Sequence, residues 1–84
     1  MAHMTWECEN ELKGLAYDMA CHHYATGCSV VGGLADVIFM MHARGDILTP
    51  AKVGIVEQTY NACREMLDLK ADPADIYRLA VKNG

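Results

Sequence analysis

From Ala20 to Cys28 the chain reads Ala-Cys-His-His-Tyr-Ala-Thr-Gly-Cys, placing two thiols and two imidazoles within nine residues. These side chains bind zinc, or act as Cys–His nucleophile pairs. Tetrahedral zinc sites are usually written as closely spaced Cys or His pairs matched by a second pair. Here six residues separate Cys21 from Cys28, and neither C-x-x-C nor H-x-x-x-H occurs. On a helix, Cys21 and His23 point about 160° apart. Only a helix ending before Cys21 would let Cys21, His23 and Cys28 converge, with His42 as the fourth ligand. That set defines a metal-binding structural or sensor module. The residues favour a metal-free alternative, in which His23 continues an apolar helix stripe, Cys21 packs beside Tyr17 and Tyr24, and His22 follows Asp18 by one turn. No metal and no cofactor is expected.

Nucleophile pairs can be drawn from Cys28 with His42, or Cys21 with His22. Neither has an orienting third group or an oxyanion-binding turn nearby, so no catalytic residue and no enzymatic activity is expected. Gly-Cys-Ser-Val-Val-Gly-Gly lacks the Gly-Lys-Ser/Thr ending of a phosphate loop and follows no strand. Asp36 is the lone charge between Ser29 and Ala43. It is expected on the face of its helix that reaches water, beside Gly32 and Ala43.

The segments that position these residues read as four helices. Thr5 is a candidate cap for the first, running to about Tyr24 with Gly27 as its stop. Ser29 caps a second that ends at Gly45. Thr49-Pro50 opens a third reaching about Leu69, because proline at the first helical position forfeits no hydrogen bond. Asp72-Pro73 repeats that signal for a short fourth, to about Lys82. No period-2 alternation marks a strand. The expected fold is all-α, a small four-helix bundle of three long or medium helices plus a short C-terminal one. It forms a single domain over residues 5–84, and residues 1–4 read as a disordered cloning scar.

Helix 1 sets Cys8, Leu12, Leu15, Ala16, Met19 and His23 on a core stripe, with Trp6, Tyr17 and Tyr24 on another flank beside Ala20. Helix 2 is apolar over most of its circumference and is expected at the centre of the core. Gly32 and Gly33 weaken it by about 1 kcal/mol each, a cost consistent with close approach of another backbone. Helix 3 places Val53, Val56, Tyr60, Cys63 and Leu67 on one stripe and Ile55, Ala62, Met66 and Leu69 on a second. Glu57, Gln58, Asn61, Arg64, Glu65 and Asp68 make up its solvated side.

In 84 residues, 52% are hydrophobic, and the net charge is −4. A chain this short leaves much of its surface uncovered, so the apolar excess points to a partner. The expected assembly is a homodimer joined through Ile55, Ala62, Met66 and Leu69, since closed two-fold dimers are the commonest assemblies. Scattered basic residues disfavour direct nucleic-acid binding. A DNA-binding transcriptional regulator is a further alternative, weakened because the fourth helix offers only Arg78, Lys82 and Asn83 to bases. No segment is a secretory signal or a membrane span, and the cysteines, even in number, read as free thiols of a cytoplasmic protein. The expected function is that of an acidic helical interaction module, a regulator or inhibitor that binds another protein, one with a basic surface. Small phage and mobile-element proteins offer an analogy of form. The candidate partner surface is Trp6, Tyr17 and Tyr24 together with Glu57, Glu65 and Asp68.

Overall fold

The computed structural model describes residues 5–78. Residues 1–4 and 79–84 lie outside the described residues, and with them the expected end of the fourth helix and Lys82 and Asn83. Four helices follow in order, α1 (Glu9–Thr26), α2 (Val30–Ala43), α3 (Pro50–Asp68) and α4 (Pro73–Tyr77). No strand occurs among the described residues. The chain is therefore a small all-α bundle.

Local chemistry sets most of the boundaries. Thr49 Oγ1 accepts the Lys52 N–H at 3.2 Å, with Pro50 opening the helix. The Ser29 hydroxyl accepts from Gly32 N–H, and the Asp72 carboxylate from Ala74 N–H. Gly27 ends α1 with φ 81°, a left-handed conformation that costs glycine nothing. The start of α1 differs from expectation. Thr5 is not its cap; the Thr5 hydroxyl bonds Glu7, and the helix begins after Cys8. Glu11 Oε1 accepts the free N–H groups of Glu7 and Cys8, supplying the carboxylate half of a capping box. Cys8, placed on the core stripe by periodicity, is exposed, and Trp6 lies in the extended segment before the helix.

The principal pair is α1 with α3, and α2 and α4 each rest against both. Leu12, Ala16 and Ala20 meet Val56, Tyr60, Cys63 and Leu67, and Val37, Met41 and Ile76 close the core. Helix α2 is therefore not central, contrary to its composition. It buries only Gly33, Val37 and Met41, while Val31 is 81% exposed and Phe39 70%. Two helices already fill the middle of so small a bundle, leaving no mass to cover the outer side of a third. Arg64 also departs from expectation. It is buried at 7% exposure on the supposedly solvated side of α3, whereas Glu57, Gln58, Asn61, Glu65 and Asp68 are exposed.

The N-terminal arm is tied down by a buried carboxylate. Asp46 Oδ2 accepts the Trp6 N–H at 3.2 Å, and Oδ1 accepts from Lys52 Nζ at 2.7 Å. Burial alone would raise the pKa of Asp46. The Lys52 bond, the Trp6 amide and the charge of Lys52 outweigh it and hold the carboxyl below its usual range. A lowered folded-state pKa contributes stability above the unfolded value, near about 4, and loses it as the pH falls through the folded value. Asp46→Asn should therefore be less stable at neutral pH and lose less than the wild type on acidification below about pH 4. Urea midpoints measured across that range check it, and parallel acid profiles would refute it.

Candidate functional site

Four side chains from three helices form one hydrogen-bonded chain through the interior. Arg64 Nη1 donates to Tyr60 Oη at 2.9 Å, one helical turn apart on α3. His23 Nδ1, near the end of α1, lies 2.9 Å from the same hydroxyl. On its other side, His23 Nε2 lies 2.9 Å from Asp36 Oδ2 on α2. Directions follow from the donor inventory. A guanidinium can only donate, so Tyr60 Oη accepts from it and turns its own proton toward His23 Nδ1. His23 Nε2–H then donates to Asp36. The chain runs from a buried cation to a carboxylate whose side chain is 59% exposed. Arg64 Nη2 also donates to the Cys28 carbonyl at 2.6 Å, fixing the α1–α2 turn. Its Nε is buried without a partner.

Gly33 makes this assembly sterically feasible. A Cβ there would collide with Tyr60 Oη and stand 2.8 Å from His23 Nδ1. The approach is thus by side chains, not by the second backbone that the glycine pair suggested. Gly32 is exposed and faces only the Ser29 hydroxyl.

An open cleft of about 520 Å³ lies along the same seam, lined by His22, Thr26, Cys28, Ser29 and Asp36 among others. Both ring nitrogens of His23 are occupied by the relay, leaving neither for a metal or for proton transfer to a substrate. Among the described residues, no group of three His, Cys, Asp or Glu side chains is placed to hold a metal ion. Cys21 is half-buried, His42 and Cys28 are exposed, and the Cys28 thiol lies 3.5 Å from Thr26 Oγ1. Burial, reinforced by the charge of Asp18, raises the Cys21 pKa despite a hydrogen bond with Tyr17. Burial pushes Cys63 up to about 11. Both are protonated thiols at neutral pH, the unreactive form. The chemistry this arrangement offers is positional, orienting Asp36 and seating α2.

The remaining sequence-derived residues are dispersed. Tyr17 packs edge-on against Tyr77, with ring centroids 5.1 Å apart, and Tyr24 accepts a bond from Lys70 Nζ at 3.2 Å. Both are half-buried, so the domain's own helices cover much of that aromatic flank. Glu57, Glu65 and Asp68 are exposed. Of the second α3 stripe, Ile55 and Met66 pack against the core, while Ala62 is exposed and Leu69 is 74% exposed. Sequence reasoning missed the relay as a unit, although it placed His23 and Tyr60 correctly on apolar stripes. The one local signal was Arg64, four residues after Tyr60 on the same helix.

No helix among the described residues is long and apolar enough to cross a membrane. Compared with known protein families, curated proteins and solved structures, the chain matches none.

Proposed function

We propose that this chain is a small helical interaction protein that acts by binding protein, and that its primary docking surface is the outer face of α2. One observation carries the reading. Val31, Gly32, Ala35, Asp36, Phe39, His42 and Ala43 are exposed on that helix, and Asp36, bonded to His23, is the one acid among them, with no lysine or arginine. Two large apolar side chains separated by small residues suit the apolar face of another helix, because the small residues let the backbones approach. A second copy of the chain is the occupant we propose, since a two-fold pairing of like faces closes on itself.

The magnitudes bound its strength. Burying Phe39 and Val31 contributes roughly 1.5–3 kcal/mol each, so two copies supply roughly 6–12 kcal/mol. Association itself costs about 4–15 kcal/mol. The most favourable balance, about −8 kcal/mol, corresponds to a Kd on the order of micromolar, so the dimer is at most that tight. Both copies carry −4, so added salt should strengthen it by screening their repulsion.

Phe39→Glu should weaken self-association about a hundredfold or more and leave helicity unchanged, because the side chain is already in water. Leu69→Glu, on the α3 stripe, should have little effect. Light scattering through the micromolar range checks both. A wild-type monomer throughout, or a dimer that only Leu69→Glu dissolves, rejects the α2 face. The exposed acids Glu57, Glu65 and Asp68 favour a second, heterologous role, the capture of a partner with a basic surface by a regulator or inhibitor.

A further inference from the structure

We infer that α2 is a hinged element that swings off the α1–α3 pair as a unit, with the His23–Asp36 bond as its latch. The inference does not depend on what α2 docks, and it applies to a single chain. Both connections to α2 turn on left-handed glycines, Gly27 at φ 81° and Gly45 at φ 87°. Such positions absorb rotation that other residues resist. The helix between them is held lightly, burying Gly33, Val37 and Met41, where α3 buries Val56, Thr59, Tyr60, Cys63, Arg64 and Leu67. Asp36 on α2 is joined to His23 on α1 by a side-chain hydrogen bond, and Arg64 Nη2 holds the Cys28 carbonyl in the turn that leads into α2.

The His23–Asp36 bond sits where water can replace it. The carboxylate is more than half exposed, and the open cleft brings solvent to the seam beside it. The seat under Gly33 is polar as well, formed by a phenol oxygen and an imidazole edge. Once α2 leaves, Tyr60 and His23 can hydrate while Arg64 keeps its bond to Tyr60 and exchanges the Cys28 carbonyl for water. Undocking therefore exposes Val37 and Met41 but strands few polar groups, so local opening is cheaper than global unfolding.

Amide exchange on the full chain tests this, using the wild type and Phe39→Glu so that self-association does not hold α2 closed. The α2 amides should exchange together, at least about tenfold faster than those of Val56–Leu67 in α3, with a weaker denaturant dependence. Asp36→Ala should speed α2 exchange about tenfold further and leave α3 unchanged. If α2 and α3 exchange at one rate with one denaturant dependence, the hinge is wrong. If Asp36→Ala speeds every helix alike, or none, the latch is wrong.

Discussion

Gly33→Ala should destabilise the fold by about 3 kcal/mol, although alanine is the better helix former. The helix itself would gain about 1 kcal/mol. Against that, the new methyl would meet Tyr60 Oη and sit 2.8 Å from His23 Nδ1 and 3.1 Å from its Cγ. Overpacking of this kind costs typically about 1–3 kcal/mol, and pushing the two rings apart loses hydrogen bonds that contribute about 1 kcal/mol each. Gly32→Ala is the matched control. Its methyl would meet only the Ser29 hydroxyl at 2.9 Å, so a helix gain of about 1 kcal/mol offsets a weakened cap of similar size. Urea unfolding of the two variants should differ by several-fold in the effect on stability. A Gly33→Ala protein as stable as the wild type would mean that the relay is not packed as described.

Tyr60→Phe should cost about 3 kcal/mol by a different route. The ring and its packing remain, but Arg64 Nη1 loses its acceptor and His23 Nδ1 its donor, both inside the protein. Each buried group left unsatisfied costs about 1–3 kcal/mol, more where it is charged. Arg64 already holds one unpartnered nitrogen, Nε, so little slack remains. The diagnostic result lies in the pair. Arg64→Met removes the stranded cation, so adding it to Tyr60→Phe should cost at least about 1 kcal/mol less than the sum of the single changes. Strict additivity would show that the two side chains do not share a network. For a domain of this size, whose total stability is on the order of 5–10 kcal/mol, either single substitution removes a large share.

What the sequence makes legible here is mostly local. Ser29, Thr49-Pro50 and Asp72-Pro73 announce helix starts because a cap is satisfied within three residues of itself. Gly27 announces a stop for the same reason. The interior relay links residues 13 and 37 positions apart, and nothing in either neighbourhood encodes the partner. Arg64 falls by periodicity on the polar side of α3, with Glu57, Asn61 and Asp68, and gives no hint that Tyr24 of α1 and the turn at Cys28 cover it. Helix α2 misleads in the opposite direction. Its composition states how strongly it avoids water, whereas its exposure depends on how much protein is left to cover it. The stretch from Ala20 to Cys28 looks like a ligand cluster, yet of its Cys and His side chains only His23 is fully buried, bonded to a tyrosine and an aspartate.

The tight fit around Gly33 also has a bearing on inheritance. A side chain can appear at that position only if position 60 loses its hydroxyl or His23 withdraws, and losing the hydroxyl leaves the buried Arg64 with the Cys28 carbonyl as its remaining acceptor. Positions 23, 33, 60 and 64 should therefore drift as a block, kept together or exchanged together for an apolar set. The outer face of α2 is free of that constraint and can change one residue at a time. In a diverged lineage, a small residue at 33 facing a tyrosine at 60, with arginine one turn further on, would mark common descent after overall identity had faded.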